Sequence, residues 1–393
     1  MSGEHHGEPL RVLCFLADLE CGGAQRTMVN LVNALPRERV AATLAVARAG
    51  GWARRWIADG IPVVEFGAGR TLGALLPLRR RIAASRPAVL FSTMVDANTV
   101  AALAALGVRH GPALVLRESN SHRARDDLSA LRRAGAGWAY RRADRVVALS
   151  DGVRRELIAD YGLDDARCLT LHNPVDVAAA RAWASAARAS PPPWGRWAGG
   201  EPVLIGCGRL VRQKGFELLI EALARVGGTH LVILGEGPER ARLERLAAGL
   251  GLAQRVRMPG AVDDPTLWFA HADLFVLSSR WEGFGHVIVE AMASGLPVLA
   301  TDCPHGPRDI VTDGVDGVLV PANDSVALAE GIARLVADRE MRRRLAGAAL
   351  VSAERFAAPR VADAYAQLLV DAAERRGCGA ARPGSRHILN EGP

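Results

Sequence analysis

The chain has 393 residues, of which 49% are hydrophobic and 23% charged, and its formal net charge at pH 7 is +7. This composition excludes an intrinsically disordered chain. We find no apolar run of about 18 residues, so a membrane-spanning helix is not expected. Residues 1–9 contain acidic residues and histidines where a signal peptide would need a basic patch and an apolar run. We therefore expect a cytoplasmic protein of two or three domains.

The cysteine and basic residues indicate which metal sites, disulfides and binding partners to expect. The six cysteines contain no C-x-x-C pair, so neither a zinc site nor a disulfide framework is expected. The excess of basic residues favours anionic partners such as nucleotides, lipid phosphates or nucleic acid. Lys214 is the only lysine among the 49 basic residues. An ammonium differs from a guanidinium in shape and hydrogen bonding, so a single lysine indicates a position where the ammonium is needed. The alternative is that this lysine remains by chance.

The first half of the chain alternates short apolar strands with longer amphipathic helices. The first strand is predicted at residues 10–16, and a helix with apolar residues at helical spacing follows at 24–35. Further strands are predicted at 42–47, 62–66, 89–92, 113–117 and 145–150. Apolar strands that alternate with helices are typical of a parallel sheet covered on both faces.

The alternation stops at residues 186–202, where three consecutive prolines and several glycines predict a linker. It then resumes in the second half. Strands are predicted at 203–207, 230–234, 256–258, 274–277, 297–301 and 318–320. Helices are predicted at 215–226, 239–250, 285–293, 325–338 and 341–356.

Two doubly wound α/β domains are therefore predicted, at residues 10–185 and 203–376, facing each other across a cleft. The last helix could pack back on the first domain, and disordered tails are expected at 1–9 and 377–393. In sheets of this kind ligands bind beyond the carboxyl ends of the strands, so the cleft is the expected site.

The first motif with chemical potential is GCGRLVRQKG at residues 206–215, between a predicted strand and a helix. Gly208 has no side chain and would let the backbone approach a ligand closely. Arg209 and Lys214 would place two cations at the carboxyl edge of the strand, where they suit a diphosphate. The spacing fits neither a Walker A loop nor a dinucleotide fingerprint. An ordinary turn with solvated basic residues is the alternative.

The second motif is EGFGHVIVEAMASG, which starts at Glu282 and continues through Gly283, Phe284 and Gly285 into a predicted helix. The N-terminus of that helix would attract a leaving phosphate. Glu290 lies five residues further, roughly 7.5 Å along the axis, about as far as a ribose lies from the diphosphate of the same nucleotide. Its apolar neighbours predict a largely buried carboxylate that needs a partner. Glu282 would face the sugar. Solvated carboxylates are the alternative.

Two further segments carry weaker signals. Gly22 and Gly23 open the first helix and could contact a phosphate or a sugar, although an ordinary helix start explains them equally well. The segment RESN at residues 117–120 follows a strand, which makes Glu118 and Asn120 candidates for contacts with the acceptor. A polar loop is the alternative for that segment.

Taken together, GGAQR, GRLVRQKG, LGEGPER and EGFGHVIVEAMASG followed by TDCPHGPRDI resemble glycosyltransferase family 4 over residues 10–372. These are retaining enzymes of the GT-B fold, with two Rossmann-like domains and the active site between them. The resemblance implies that Glu282 contacts donor-sugar hydroxyls, Glu290 holds the ribose, and Arg209 and Lys214 bind the diphosphate. The GPRDI turn resembles a subgroup frequent in polysaccharide and lipopolysaccharide gene clusters.

One departure from the family concerns the donor sugar. Many relatives carry a histidine near that sugar in the first domain, where the loosely aligned stretch 91–100 has Asp96. We add Asp96 to the acceptor-side candidates.

The predicted activity is that of a retaining hexosyltransferase. It would move a sugar from a nucleotide-diphosphate donor to a hydroxyl of a glycan or lipid-linked acceptor, with Arg209, Lys214 and Glu282 as catalytic residues. No metal or other cofactor is expected. The alternatives are a nucleotide-sugar epimerase of the same fold and a non-catalytic or nucleic-acid-binding protein. Against the latter, aromatic residues are only 5% and no ribonucleoprotein motif occurs.

Two arginine clusters raise the question of membrane contact. Residues 79–81 and 132–133 could form a basic patch that meets anionic headgroups at the inner membrane face. Solvated helix faces are the simpler explanation of the same residues.

Overall fold

The computed structural model describes residues 8–20, 23–123, 128–195, 197 and 199–377. The predicted tails therefore lie outside the described residues, apart from residues 8, 9 and 377, and so does Gly22. No helix formed by the described residues is long and apolar enough to cross a membrane.

The first sheet has seven strands in the order β3-β2-β1-β4-β5-β6-β7. The strand pairs among β1 to β5 are parallel. The strands are β1 (Leu10–Leu16), β2 (Val40–Val46), β3 (Val63–Glu65), β4 (Val89–Thr93), β5 (Ala113–Glu118), β6 (Arg145–Ala148) and β7 (Cys168–Thr170).

The second sheet has six strands in the order β10-β9-β8-β11-β12-β13, and its strand pairs are parallel. Its central strand β8 contributes Val203 and Ile205 to one buried cluster and Leu204 to another, because successive side chains point to opposite faces. The strands are β8 (Val203–Cys207), β9 (His230–Leu234), β10 (Val256–Gly260), β11 (Leu274–Leu277), β12 (Val298–Asp302) and β13 (Val318–Pro321).

Fourteen α-helices are formed by the described residues. They are α1 (Gly23–Ala34), α2 (Leu75–Ser85), α3 (Val95–Ala105), α4 (Ala130–Arg142), α5 (Asp151–Tyr161), α6 (Val177–Ala187), α7 (Phe216–Arg225), α8 (Arg240–Gly249), α9 (Thr266–His271), α10 (His286–Ala293), α11 (Pro307–Ile310), α12 (Ser325–Ala337), α13 (Arg339–Ala353) and α14 (Ala358–Arg375). The short 3-10 helices are Trp52–Trp56, Thr71–Ala74, Asp165–Arg167, Arg212–Lys214 and Glu354–Phe356.

The predicted α/β architecture with two Rossmann-like parallel sheets is confirmed. Four strands, β1, β8, β9 and β11, have the predicted bounds, because each is a continuous apolar run that both faces of a sheet bury. The strand predicted at 145–150 ends at Ala148, since Ser150 caps α5 by accepting a hydrogen bond from the Val153 amide. The short elements β7, α9 and α11 were not predicted, because three to six residues carry too little periodicity.

Contacts divide the chain into two compact units, which we describe separately. The first unit comprises Met1–Arg117, Ala134–Val146 and Asp363–Pro393, and the second comprises Glu118–Arg133 and Val147–Ala362. The last helix belongs to the first unit from Asp363 onwards. The domain bounds of the sequence analysis and its linker at 186–202 stay a prediction.

Candidate active site

The strand order predicts where the second unit binds a ligand. The order reverses between β8 and β11, and the crevice beyond the carboxyl ends at such a point is where doubly wound sheets bind ligands. Arg209 and Lys214 follow β8, whereas Glu282 follows β11. The donor-side candidates Arg209, Lys214 and Glu282 therefore lie after the two strands that flank this point.

Arg209 and Lys214 differ in their surroundings. The Arg209 side chain is exposed and forms no hydrogen bond or ion pair with any other described residue. Lys214 ends the 3-10 helix Arg212–Lys214, and its side chain runs over Gly208, where a Cβ would lie 3.1 Å from Lys214 Cε. The backbone after β8 thus supports the lysine stem and leaves the arginine open to an anion.

The turn that carries Lys214 is bound to the segment after β11. Ser278 Oγ donates to the Lys214 carbonyl at 2.9 Å. The Gln213 side-chain amide donates to the Trp281 carbonyl at 3.0 Å, and the Arg280 amide donates to the Gln213 carbonyl at 2.8 Å. These hydrogen bonds fix two segments that are distant in sequence, so the position of Lys214 against Glu282 is built into the backbone.

Lys214 and Glu282 form the ion pair at the centre of this arrangement. Lys214 Nζ lies 2.6 Å from Glu282 Oε1, and their side chains are 18% and 6% exposed. Ser279 Oγ donates to the same Oε1 at 2.6 Å. A carboxylate this buried needs charged or hydrogen-bonding partners, and Lys214 and Ser279 supply them to Glu282. Burial, and then the charge of Glu282, raise the pKa of the nearby Cys303 thiol far above its ordinary value, so Cys303 is no candidate nucleophile.

The loop from Gly283 to Gly285 connects Glu282 to α10. A Cβ at Gly283 would lie 1.8 Å from the Ser119 carbonyl oxygen, so only glycine fits there. Phe284 is buried and stacks on His172 with ring centroids 5.2 Å apart. Gly285 has φ of 96° and precedes the first residue of α10. The buried Phe284 side chain therefore holds the loop in place. Gly283 allows the close approach of the Ser119 carbonyl, and Gly285 adopts the positive φ before α10.

Glu290 lies one turn into α10. His286 Nε2 is 3.4 Å from Glu290 Oε1, and the Glu290 side chain is 19% exposed. The side chain is therefore largely buried, as its apolar neighbours predict, and its contact with a ribose stays a prediction.

Of the acceptor-side candidates, Asn120 lies against Gly283 of the loop 283–285, and Glu118 precedes Ser119, whose carbonyl also faces Gly283. The Glu118 side chain is 1% exposed. Its Oε1 accepts from the amides of Ser119 and Asn120 at 2.9 and 3.1 Å, and its Oε2 lies 3.1 Å from His122 Nε2. Glu118 thus shapes its own loop, whereas Asn120 is partly exposed. Their contact with an acceptor stays a prediction.

The remaining candidates belong to the first unit. Gly23 is exposed at the start of α1, and a Cβ there would meet no atom within 4 Å. Asp96 is exposed in the first turn of α3, after Met94 with φ of 78°. These two residues follow β1 and β4, where the strand order of the first sheet reverses. Gly22 lies outside the described residues.

Glu156 and His305, which lie near the loop 283–285, were not among the predicted site residues. His305 Nε2 lies 3.0 Å from Glu156 Oε2. Burial alone would raise the pKa of Glu156, but hydrogen bonds from His305, Ser121 and the Arg123 amide outweigh it and lower the pKa to about 2. A sequence signal existed, because Glu156 lies at helical spacing between apolar residues of α5 and His305 lies within the TDCPHGPRDI motif.

Within the described ranges, no three His, Cys, Asp or Glu side chains converge in a way that could hold a metal ion. The predicted independence from metal stays a prediction.

Two family models match the chain, one on each half. The model for glycosyltransferase family 4 matches residues 21–179, and the model for glycosyl transferases group 1 matches residues 195–350. The lipopolysaccharide core biosynthesis glycosyltransferase LpsE of Rhizobium meliloti is 33% identical over 363 residues, which are 88% of this chain and 96% of that protein.

A second relative is a Campylobacter jejuni protein, the N-acetylgalactosamine-N,N'-diacetylbacillosaminyl-diphospho-undecaprenol 4-alpha-N-acetylgalactosaminyltransferase. It is 28% identical over 232 residues, which are 58% of this chain and 61% of that protein. Among solved structures, Anabaena HepE in complex with UDP matches with a TM-score of 0.79 and 24% identity, covering 92% of this chain and all of that one. That likeness shows a shared fold.

Proposed function

Because the chain belongs to glycosyltransferase family 4, we propose that it transfers a sugar from a nucleotide-diphosphate sugar to an acceptor hydroxyl and retains the anomeric configuration. The observation that carries this proposal is the pairing of Lys214 with Glu282 at 2.6 Å, together with the exposed Arg209, which follows the same strand as Lys214. One carboxylate for sugar hydroxyls and two cations for a diphosphate are the groups that such a donor requires.

The donor occupies the carboxyl edge of the second sheet in this proposal. Arg209 and Lys214 bind the diphosphate, and the N-terminus of α10 after Gly285 adds unpaired amide donors. Glu290, one turn further and 19% exposed, accepts hydrogen bonds from the ribose hydroxyls. Glu282 accepts hydrogen bonds from the sugar, because Lys214 and Ser279 use only its Oε1.

Catalysis follows from charge that develops on the leaving group. When the bond between the anomeric carbon and the phosphate oxygen breaks, negative charge grows on the diphosphate, and Arg209, Lys214 and α10 stabilise it. The acceptor oxygen attacks from the same face, and its proton passes to the departing phosphate oxygen. Trapping of a glycosyl adduct on any carboxylate of the chain would contradict this front-face step.

The acceptor is proposed to be a glycan or lipid-linked saccharide of cell-surface polysaccharide or lipopolysaccharide synthesis. LpsE is named for lipopolysaccharide core biosynthesis, and the Campylobacter jejuni relative for a diphospho-undecaprenol acceptor. Because LpsE matches over nearly its whole length, we take lipopolysaccharide core saccharides as the first acceptors to test.

We further propose peripheral contact with the inner membrane face through α2. Leu72, in the 3-10 helix that directly precedes α2, is 63% exposed, and Leu76 in α2 is 61% exposed. The basic residues 79–81 follow Leu76 on α2. Apolar side chains beside arginines suit an anionic lipid surface. Co-sedimentation with vesicles that contain phosphatidylglycerol should decrease in Leu72→Ser/Leu76→Ser and at high salt. Unchanged co-sedimentation of the variant would contradict the role of α2.

The transfer proposal is tested by product analysis. The chain is incubated with UDP-, GDP-, ADP- and CMP-sugars and truncated lipopolysaccharide core saccharides, starting with UDP-glucose because HepE was solved with it. The proton coupling of the new anomeric centre is then measured by NMR. We expect one donor to give a product with the configuration of the donor. A product of inverted configuration would overturn retention, and epimerised nucleotide sugar formed without acceptor would overturn transfer.

A further inference from the structure

A buried carboxylate outside the proposed donor residues joins several chain segments of the second unit. The Glu156 side chain on α5 is 3% exposed. Its Oε1 accepts from the backbone amides of His122 and Arg123 at 2.6 and 2.9 Å. Its Oε2 accepts from Ser121 Oγ at 2.6 Å and lies 3.0 Å from His305 Nε2. Glu156 therefore holds the segment 121–123 on one side and His305 on the other.

His305 occupies a place that the surrounding backbone is shaped to admit. It has φ of 68°, a region that residues with a side chain rarely adopt. Its ring packs directly over Gly152, where a Cβ would lie 2.2 Å from His305 Nδ1. A residue in this conformation persists only when its surroundings hold it, and the hydrogen bond to Glu156 is the polar contact that does so.

The two segments that Glu156 holds, 121–123 and His305, both adjoin residues that contact the loop 282–285. Pro304, which precedes His305, accepts a hydrogen bond from the Glu282 amide at 3.3 Å. On the other side, the Ser119 carbonyl lies against the α-carbon of Gly283. Glu282 and Gly283 are thus flanked by two segments, 119–123 and 304–305, and both segments are tied to the same buried carboxylate.

We infer that Glu156 and His305 are positioning residues, which set the place of the 282–285 loop and hence of the Glu282 carboxylate. The inference rests on the proposed function for its effect on transfer, but the placement of the loop is a property of the chain alone. Neither residue contacts the donor in this account. The ionised Glu156 and the His305 ring act through the backbone of Pro304, Ser119 and Gly283.

The kinetic test separates positioning from general stability. His305→Leu removes the donor to Glu156, whereas His305→Gln keeps an N–H that can reach it. We expect His305→Leu to lower kcat about 10- to 100-fold, because small displacements of a catalytic group have effects of that size. The Kd for the nucleotide diphosphate should stay unchanged, and His305→Gln should recover most of kcat. His271→Gln is the matched control, since His271 Nε2 bonds the Ala187 carbonyl at 3.0 Å.

Hydrogen exchange gives a readout that does not depend on activity. In His305→Leu, and in Glu156→Gln as a second variant, peptides that cover residues 119–123 and 280–285 should exchange faster than in the wild type. Peptides of β9 and α12 should be unchanged in both. Unchanged exchange at 280–285, or equal loss of kcat in His305→Gln and His305→Leu, would overturn the inference. If the wild type transfers no sugar yet the exchange pattern is as expected, the proposed function fails and the positioning role stands.

Discussion

The two sheets share one strand order around their reversal points, yet the candidate residues that follow those strands differ in burial. After β8 and β11, Lys214 and Glu282 are joined to each other and their turns are hydrogen-bonded together. After β1 and β4, Gly23 and Asp96 are exposed in the first turns of their helices. The motifs with several spaced polar residues and glycines therefore mark two segments that pack against each other, whereas the roles of Gly23 and Asp96 stay a prediction.

The largest effect on activity should come from substitution of Lys214, which is paired with Glu282. Lys214→Ala removes the ammonium that we propose stabilises the leaving diphosphate, and we expect kcat/KM to fall about 100- to 1000-fold. Lys214→Arg should not restore activity, because a planar guanidinium cannot occupy the space of an ammonium 2.6 Å from Glu282. Initial rates with the donor identified by product analysis measure both variants.

The matched control is Arg225→Ala, which removes an exposed cation from the last turn of α7. It should retain wild-type kcat/KM. Full activity in Lys214→Arg would show that charge alone suffices, and the argument from the single lysine would be wrong.

The next effect concerns stability at acid pH. The folded-state pKa of Glu156 is lowered from 4.5 to about 2, so its ionised form stabilises the folded chain. That contribution, about 3 kcal/mol, is complete above the unfolded pKa and is lost as the pH falls from 4.5 towards 2. The free energy of unfolding in urea should therefore be higher for wild type than for Glu156→Gln at pH 7. This difference should become smaller at pH 3. A difference that does not change with pH would contradict the lowered pKa.

A pair of glycine substitutions sharpens the comparison directly. Gly283→Ala would place a methyl group 1.8 Å from the Ser119 carbonyl, and we expect a loss of about 1–3 kcal/mol in the free energy of unfolding. Gly23→Ala meets open space in the first turn of α1, and its effect should stay within about 0.5 kcal/mol. Urea unfolding of both variants measures the contrast. Equal effects would show that the two loops are constrained alike.

The smallest effect is expected from removal of divalent metal. No metal-holding cluster occurs within the described ranges, and in the proposed donor site Arg209 and Lys214 bind the diphosphate, so EDTA should leave the transfer rate unchanged. The assay is repeated with added Mg²⁺ and Mn²⁺. A rate that falls with EDTA and returns with either metal would contradict the expectation.

The sequence predicted the architecture and the turns that carry Lys214 and Glu282 because both depend on local patterns, whereas the roles of these residues stay a prediction. Apolar runs bury a strand on two faces, and β1, β8, β9 and β11 were placed to the residue. Glycines and charged residues at fixed spacing marked the turns after β8 and β11. These signals lie within about ten residues of one another, so no tertiary information is needed to read them.

What the sequence did not reveal depends on contacts between distant segments. Glu156 and His305 are 149 residues apart, and nothing local indicates that they meet. The Glu118 carboxylate is buried against the amides of its own loop and His122, partners that the sequence did not indicate, and its contact with an acceptor stays a prediction. The partner of a polar side chain is fixed by packing, which periodicity does not describe.

Nucleotide binding tests the central claim most directly, since the account places the donor on Lys214 and Glu290. The shift of the melting temperature with UDP and UDP-glucose is measured for wild type, Lys214→Ala, Glu290→Gln and, as a control, Glu330→Gln on the exposed side of α12. We predict a shift for the wild type and the control that is lost in the other two variants. Binding that survives both substitutions, or no binding of any nucleotide sugar by the wild type, would contradict the proposed donor site.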